Sequence, residues 1–320
     1  MVRPLWLSLI ACLFALSSPA LRAQDFPTKT VRILVPQTPG GASDALARVI
    51  AQKLSEKWAQ PVVVENRAGA GGNVGMEVVA QGAPDGHLLL MSYAGSHAIN
   101  PALYKRLPFD PVKDFAPVAT LATLPFVLVA KPDASFKTVS ELVTQAGKGT
   151  LTFGSAGNGS VNHLLGVMLN STASLHLVHI PYRGAAAAAA DVVSGQVPIT
   201  FGSFPGVMPF VKSGKLNVIG VATEKRTPLA PEVPTLAESL PGFFANSWYG
   251  LFAPAGTPKP IIDRILAIST QVLSASDLGE RLAGQGAEVW PGNPDQLAKL
   301  VRDELVMWAR IVKESGATVD

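Results

Sequence analysis

The chain has 320 residues, of which 48% are hydrophobic and 15% are charged. That length accommodates about two domains, and the apolar composition predicts a large core and excludes an intrinsically disordered chain. The formal net charge is only +3, and no cluster of Lys or Arg stands out, so the sequence lacks the basic footprint of a nucleic-acid-binding protein.

The first 23 residues have the pattern of a secretory signal peptide. Arg3 supplies the positive n-region, and Leu5–Leu16 is an apolar run shorter than the roughly 20 residues of a membrane-spanning helix. Leu9-Ile10-Ala11-Cys12 also fits a lipoprotein signal, but the apolar run continues past Cys12, which favours simple export. The expected product is a periplasmic protein with 24 basic and 23 acidic side chains. Because Cys12 is the sole cysteine, the exported chain would have no disulfide and no thiolate nucleophile.

A strand, a turn and the start of a helix make up Val31–Asp44. Val31–Val35 is typical of a buried strand, two prolines and the Gly40-Gly41 pair interrupt it, and a helix over about Asp44–Trp58 follows. Adjacent glycines let backbone N–H groups approach a ligand, and a helix N-terminus favours an anion. We interpret this turn as one wall of a site for a small anionic group. The alternative is a plain strand-to-helix connection.

Two similar units follow. The strand Val62–Val64 leads into the glycine-rich Ala68–Asn73 and a helix over Asn73–Gln81, and the strand Gly86–Tyr93 runs into a polar loop at Ser92–His97. Successive strand–loop–helix units predict a parallel sheet, in which ligands collect at the carboxyl ends of the strands. Gly69-x-Gly71 hints at dinucleotide binding, but Val74 replaces the third glycine of that fingerprint. A glycine turn packed against a neighbouring loop is favoured instead.

The middle of the chain predicts a second α/β unit inserted into the first. It begins with the apolar stretch Phe115–Lys131, broken at Pro125, which predicts two strands or one bent strand. The remaining predicted strands are Leu151–Phe153, Leu177–Ile180, Val197–Phe201 and Leu216–Ala222, and the predicted helices are Val139–Ala146, Val161–Leu169 and Ala185–Val193. The loops between them, at Gly154–Ser160, Pro181–Gly184 and Gly202–Pro205, are again rich in small polar residues.

The last part of the chain returns to the first unit. Its predicted elements are a strand at Ser247–Pro254, helices at Pro258–Leu273 and Ala275–Ala283, a strand at Glu288–Trp290 and an amphipathic helix at Pro294–Ser315. The predicted division is therefore a signal peptide at 1–23, a first lobe of 24–121 plus 223–320, and a second lobe of 122–222.

Several short motifs together resemble one family of exported receptors. They are Asp25–Pro36 (Asp-Phe-Pro-Thr-Lys-Thr-Val-Arg-Ile-Leu-Val-Pro), Pro39–Asp44, Val64–Gly72, Gly154–Ser160, His163-Leu164 and Pro181–Gly184. As a set, this sequence is similar to the Bug family, the extracytoplasmic solute receptors of tripartite tricarboxylate transporters. The resemblance implies an α/β, type II periplasmic binding protein fold with two parallel-sheet lobes joined by crossover strands. It also implies a small carboxylate ligand, delivery to membrane permease subunits, and no cofactor or metal; we expect a monomer.

The resemblance places the expected ligand-binding residues on loops of both lobes. They are Thr38, Gly40, Gly41, Asp44, Ser92, Tyr93 and Ser96 in the first lobe, and Ser155, Asn158, Gly159, Ser160, Tyr182, Arg183, Gly184, Gly202 and Ser203 in the second. Helix N-termini facing each other across a cleft would bind a carboxylate without a formal positive charge. Asp44 is equally well explained as a helix cap that fixes its loop. Arg183 is expected either to pair with the ligand or to lie in a surface salt bridge, and His163 to be packed and hydrogen-bonded rather than a ligand contact.

One position departs from the family pattern. At the end of the strand Val197–Phe201 the family usually has an acidic residue, and this chain has Gly202. The substitution disfavours ligands that carry an amino group. It favours a plain carboxylate whose aliphatic or aromatic body reaches Phe201, Phe204 or Trp248.

Two other classes of function remain as alternatives. An exported hydrolase that uses Ser203, in the segment Gly202–Gly206, is disfavoured by Pro205 and by the absence of any histidine after His179. His176 and His179 are three residues apart on a predicted strand, so they are expected to point to opposite faces and not to share a metal. A receptor that presents its closed form to a signalling partner is the second alternative.

Overall fold

The structure is a computed structural model in which residues 26–40, 42–245 and 247–319 are described. The predicted signal peptide and the candidate site residue Gly41 lie outside those residues. None of the helices within the described ranges is long and apolar enough to cross a membrane.

Strands and helices alternate along most of the described chain, and we number them in chain order. The strands are β1 (Val31–Val35), β2 (Val62–Asn66), β3 (Leu88–Tyr93), β4 (Phe115–Thr123), β5 (Phe126–Ala130), β6 (Thr152–Ser155), β7 (Val178–Pro181), β8 (Ile199–Ser203), β9 (Asn217–Val221), β10 (Trp248–Pro254) and β11 (Glu288–Val289). The helices are α1 (Ala42–Trp58), α2 (Asn73–Ala80), α3 (Asn100–Leu103), α4 (Val139–Ala146), α5 (Val161–Ala173), α6 (Ala185–Ser194), α7 (Phe204–Lys212), α8 (Lys259–Leu273), α9 (Ser276–Gly284) and α10 (Pro294–Ser315). Shorter helical turns occupy Ala70–Gly72, Gly95–Ile99 and Leu236–Glu238.

The strands form two sheets, each the centre of one lobe. The first lobe has six strands in the order β11-β4-β10-β3-β1-β2, and the second has five in the order β7-β6-β8-β5-β9. As the sequence predicts, the strands of the strand–loop–helix units are parallel. In the first lobe β1 pairs in parallel with β2 and β3, and in the second lobe β6 pairs in parallel with β7 and β8. The expectation of wholly parallel sheets is wrong. β10 is antiparallel to β3 and β4, and β5 is antiparallel to β8 and β9. These strands connect the lobes, so they enter each sheet from the other lobe rather than through a crossover helix.

Two predicted loops are in fact the starts of helices. β3 continues through Tyr93, and the backbone then becomes helical over Gly95–Ile99 and α3; β8 likewise continues through Ser203 and leads directly into α7. Pro101 and Pro205 each lie in the first turn of the helix that follows. Proline is tolerated there because a first-turn N–H has no partner within the helix. The sequence pattern treats the same prolines as loop signals.

The two lobes share one hydrophobic cluster. It joins buried side chains of the first lobe, such as Leu103, to those of the second, such as Leu165, through Trp308 on α10. The Ser171 hydroxyl on α5 also donates a hydrogen bond to Glu314 near the end of α10. The final helix therefore packs against both lobes.

Candidate functional site

The turn after β1 is anchored by side chains from two neighbouring elements. The Gly40 N–H donates to Asp44 Oδ2 in the first turn of α1, at 3.0 Å. Asn66, at the end of β2, donates its Nδ2–H to the Gln37 carbonyl at 3.2 Å. Gly40 has a φ of +81°, a conformation that favours glycine. The turn is thus held in one shape from both sides.

Asp44 is buried and ionised. Its carboxylate lies 2.9 Å from Nη2 and 3.0 Å from Nε of Arg48, whose side chain is 54% exposed. The hydrogen bond from Arg48 lowers the pKa of Asp44, against an opposing effect of burial, and the Gly40 N–H lowers it further. The carboxylate is committed to fixing the turn, which leaves the neighbouring backbone as the surface for an anion.

Ser92 and Ser96 use their hydroxyls inside the first lobe. Both are fully buried. The Ser92 hydroxyl lies 3.1 Å from His97 Nδ1, and the Ser96 hydroxyl donates to the Gly71 carbonyl at 3.0 Å. Ser92 lies within β3 and Ser96 in the helical turn that follows it, and both side chains point into the protein. We therefore leave them out of the set proposed to contact ligand.

Thr38 and Tyr93 are more accessible. Thr38 is exposed in the turn after β1, and Tyr93 is half-buried at the end of β3. The Tyr93 ring stacks on the buried ring of Tyr249, with 6.3 Å between centroids. Burial raises the pKa of Tyr249 to about 12, so that phenol stays neutral beneath the accessible Tyr93.

The turn after β6 is a compact hydrogen-bonded network. The Ser155 hydroxyl accepts from the Gly157 N–H at 3.0 Å, and the Ser160 hydroxyl donates to the Gly157 carbonyl at 2.6 Å. Ser160 also caps α5 by accepting from the His163 N–H at 3.3 Å. The Gly159 N–H donates to His163 Nδ1 at 3.2 Å, and Gly159 has a φ of +73°. Serine hydroxyls and glycine backbone thus build this turn as the residue pattern predicts, with a histidine as an added anchor.

The turns of both lobes lie at the junction between the lobes. A Cβ built on Gly159 would lie 3.2 Å from the Leu103 side chain of the first lobe, and Asn158 beside it is exposed. The starts of α1 and α7 border one cavity of about 270 Å³. Its described lining is Gly40, Ala45, Leu46, Leu124, Pro205, Gln285 and Ala287. An anion held by the turn after β1 would therefore have an apolar cavity next to it.

The segment after β7 adjoins the turn after β6. The Tyr182 N–H donates to the Ser155 carbonyl at 3.0 Å, and the Tyr182 hydroxyl donates to Asp191 at 2.7 Å. Burial, followed by Asp191, raises the pKa of Tyr182 to about 12. Arg183 is exposed and forms no ion pair within the described ranges. Gly184 precedes α6, which has no side-chain cap among the described residues.

Gly202 leaves no room for a larger residue. It is buried in β8, and a Cβ at this position would lie 2.3 Å from Val207 Cγ1 on α7. A larger side chain at this position would require the Val207 side chain to shift. Ser203, half-buried, precedes α7 and makes no hydrogen bond to its first turn.

The expectation that a ligand body reaches Phe201, Phe204 or Trp248 is wrong for this structure. Phe201 and Trp248 are 0% exposed and Phe204 is 7% exposed. The indole of Trp248 donates to the buried Glu304 at 2.7 Å. All three rings pack in hydrophobic core clusters, Phe201 and Trp248 from strands and Phe204 from the start of α7. The apolar surface near the turn after β1 comes from the smaller side chains of the 270 Å³ cavity.

A group of rings lies behind the turn after β6. The imidazoles of His163 and His179 stack with 3.9 Å between centroids, and Phe153 stacks on His179 at 5.1 Å. His163 is 5% exposed, as expected for a packed, hydrogen-bonded histidine. The prediction that His176 and His179 point to opposite faces is wrong, because β7 begins at Val178 and both histidines line one cavity of about 570 Å³. Among the described residues no group of three side chains could hold a metal ion.

The role of Asp44 in fixing its loop agrees with the sequence-based expectation, whereas the role of His163 as the anchor of the second turn was not predicted. His163 accepts the N–H of Gly159 and Asp44 accepts the N–H of Gly40, each from four residues further along the chain. The signal that could have found them is a turn glycine followed at the fourth position by a side chain able to accept a hydrogen bond. Asn66 had no such local signal, because its partner lies on another strand-to-helix turn.

Comparison with known proteins decides the family. A family model described as the tripartite tricarboxylate transporter family receptor matches residues 46–317. The chain belongs to this family. The Bug-family resemblance and the α/β two-lobed fold predicted from the sequence are confirmed, and the protein is a periplasmic binding protein of this receptor type.

Relatives cover nearly the whole receptor. It is 38% identical to the UPF0065 protein in the tcbD-tcbE intergenic region of Pseudomonas sp. strain P51, over 93% of this chain and 90% of that protein. It is 34% identical to Protein BugT of Bordetella pertussis, over 92% of each chain.

Solved receptors extend the similarity to ligand complexes. R. palustris Rpa4515, solved with adipate, is 31% identical with a TM-score of 0.76, over 92% of this chain and 99% of that one. MatC from Rhodopseudomonas palustris, solved with bound malate, is 36% identical with a TM-score of 0.72, over 90% of this chain and 100% of that one.

Proposed function

We propose that this receptor captures a small organic carboxylate between its lobes and delivers it to the membrane subunits of a tripartite tricarboxylate-type permease. The observation that carries the proposal is the pair of anchored glycine turns, one in each lobe, that lead into helix N-termini at the lobe junction. The adipate and malate complexes of two similar receptors support a carboxylate as the ligand class.

Besides the two anchored turns, which lead into α1 and α5, two further helix N-termini of the second lobe can attract the anion. α6 and α7 begin without a side-chain cap among the described residues, so backbone N–H groups of their first turns are available to a ligand. Those groups carry partial positive charge. Arg183, exposed beside α6, is a candidate for a charged contact. A carboxylate can thus be held mainly by backbone.

The surroundings of the site favour a ligand with an aliphatic body and no amino group. The cavity beside the turns is lined mainly by apolar side chains such as Leu46, Leu124 and Pro205. Gly202 supplies no carboxylate at the position where the family resemblance leads one to expect an acidic residue. An ammonium group on the ligand would therefore lack the carboxylate that neutralises it.

The proposed site keeps most of the residues expected from the sequence. Thr38, Gly40, Gly41, Tyr93, Asn158, Gly159, Ser160, Arg183, Gly184, Gly202 and Ser203 are assigned to face the ligand. Asp44, Ser155 and Tyr182 are assigned to position the turns. We further propose export through a signal peptide at 1–23, a monomeric receptor, and lobes of 24–121 plus 223–320 and of 122–222.

Calorimetric titration of residues 24–320 at pH 7.5 tests the proposal. The titrants are adipate, malate and citrate, with alanine, glutamate and glucose as the other classes. We expect binding of at least one plain carboxylate and none of alanine, glutamate or glucose. A bound carboxylate also stabilises the folded receptor: at a hundredfold excess of ligand over its Kd, the free energy of unfolding would rise by about 2.7 kcal/mol. Binding confined to the amino acids or the sugar would contradict the proposal.

A further inference from the structure

The turn after β6 depends on an unprotonated ring nitrogen. The Gly159 N–H points at His163 Nδ1, 3.2 Å away. A nitrogen can accept this hydrogen bond only when it carries no proton, so His163 must be the neutral tautomer with its proton on Nε2. If Nδ1 of His163 carried a proton, its N–H would face the N–H of Gly159, and the two donors would repel each other.

The second histidine of the stack also touches the turn. His179 Nε2 lies 2.6 Å from the Ser155 hydroxyl, which accepts the Gly157 N–H. This contact tolerates either protonation state of His179. A neutral ring accepts the serine O–H, and a charged ring donates to the serine oxygen, whose proton then turns to the Gly157 carbonyl at 3.2 Å. Of the two imidazoles, only His163 loses its contact with the turn on protonation.

We infer that His163, stacked on His179, is the positioning residue that holds the Gly157–Ser160 turn in its anion-binding shape, and that protonation of His163 releases the turn and weakens carboxylate binding. This inference rests on the proposed function of the same site. It gives the receptor an affinity that falls on acidification.

The groups packed around His163 keep it neutral near pH 7. His179 from β7 faces its ring, with Phe153 from β6 behind. The adjoining 570 Å³ cavity is lined by His176, which precedes β7, and by Glu314, which is on α10. Glu314 accepts the Ser171 hydroxyl and lies 3.6 Å from Arg310.

Burial, and next the charge that His179 can carry, lowers the pKa of His163 to about 4. Burial also lowers the pKa of His179. The stacked rings oppose double protonation, because two positive charges 3.9 Å apart repel each other. His163 therefore remains a hydrogen-bond acceptor until the solution is clearly acidic.

Nuclear magnetic resonance of the ligand-free chain, residues 24–320, tests the positioning step without any ligand. The Gly159 amide and the His163 ring resonances are followed between pH 7.5 and pH 3.5, with circular dichroism as the check on folding. We expect the Gly159 amide to titrate with the same midpoint as the His163 ring. A Gly159 amide that stays constant while His163 titrates would overturn the inference.

Two substitutions at His163 test the effect on binding, measured with the tightest carboxylate among adipate, malate and citrate. His163→Phe keeps a stacked ring and removes the acceptor, so we expect affinity at pH 7.5 to fall about tenfold, the effect of losing one hydrogen bond. His163→Asn restores an oxygen acceptor near Nδ1 that does not titrate. It should recover most of that loss and show a shallower fall in affinity between pH 6.5 and pH 4 than the wild type.

His176→Asn is the matched control, since His176 is exposed in the same cavity and makes no contact with the turn among the described residues. Its affinity for the carboxylate should depend on pH as that of the wild type does, including the part that comes from protonation of the ligand. Two outcomes would contradict the inference. One is that, on acidification, the affinity of the wild type rises relative to that of His163→Asn. The other is that His163→Phe binds the carboxylate as tightly as the wild type does. If none of the three carboxylates binds at pH 7.5, the proposed function fails, while the Gly159 titration still decides the role of His163.

Discussion

The two turns that flank the lobe junction make the same hydrogen bond with different chemistry. In each, a glycine N–H donates to a side chain four residues later on the following helix, from Gly40 to Asp44 and from Gly159 to His163. Asp44 is a charged acceptor paired with Arg48, whereas His163 is a neutral acceptor stacked on His179. The shared requirement is an acceptor that fixes the glycine; a charge is not required.

The difference between the anchors has consequences for pH and salt. The pKa of Asp44 is lowered below its usual value, and the pKa of His163 is lowered to about 4 from 6.5. Asp44 therefore stays a charged acceptor except in strong acid. His163, by contrast, lowers the free energy of unfolding as the pH falls below 6.5. Salt screening acts on the first anchor alone, because only that one includes an ion pair.

The largest expected effect is the pH dependence of stability. The unfolded chain protonates His163 near pH 6.5 and the folded chain near pH 4, so stability is complete above pH 6.5 and falls as the pH drops toward 4. The shift corresponds to at most about 3 kcal/mol. Urea unfolding of the wild type and His163→Asn at pH 7 and pH 4 measures it, and we expect a smaller fall in the variant. Equal falls would show that His163 is not the group that titrates.

Removing the charged anchor should have the next largest effect. Asp44→Ala leaves the Gly40 N–H and Arg48 without their buried acceptor, so we expect the free energy of unfolding to drop by about 1–3 kcal/mol and carboxylate affinity to weaken. Asp263→Ala is the control, because Asp263 forms an exposed pair with Lys259 at the same helical spacing. Such a pair contributes less than about 1 kcal/mol. A drop in Asp44→Ala no larger than that in the control would mean that the turn does not depend on Asp44.

Adding a methyl group to the first-lobe glycine separates backbone strain from binding. Gly40→Ala forces alanine into a left-handed conformation, at a cost of about 1–2 kcal/mol. Gly242→Ala is matched, since Gly242 has a φ of +87° and also has open space where a Cβ would lie. We expect similar losses of stability from urea unfolding, but weaker carboxylate binding only in Gly40→Ala. Equal affinities would remove Gly40 from the site.

The smallest expected effect is that of the ion pair itself. Arg48→Ala leaves Asp44 to accept the Gly40 N–H, and the Arg48 side chain is 54% exposed, so we expect a loss of less than about 1 kcal/mol. The difference from the wild type should shrink in 1 M salt. A loss as large as that of Asp44→Ala would mean that the charge, and not the acceptor, fixes the turn.

Local patterns predicted the elements and both anchored turns. β1, α4 and α10 have the predicted bounds, because each has an uninterrupted period and a clear stop signal. The glycine and serine content of residues 154–160 likewise indicated the second-lobe turn, since those residues bond mainly to one another.

Features that depend on distant contacts could not be predicted. The antiparallel course of β10 is set by the passage between lobes, which leaves no local pattern. The burial of Ser92 and Ser96 depends on His97 and Gly71, and the inward direction of Phe201 and Trp248 depends on which face of each strand meets the core.

The central claim is that the glycine turns of both lobes hold one carboxylate, and backbone amide shifts test it most directly. Labelled protein, residues 24–320, is titrated with malate and with adipate at pH 7.5, and glucose serves as the reference. We predict that amides of residues 40–42 and of residues 157–161 shift together along one saturation curve. Shifts confined to one lobe, or shifts elsewhere with both turns unchanged, would contradict the account.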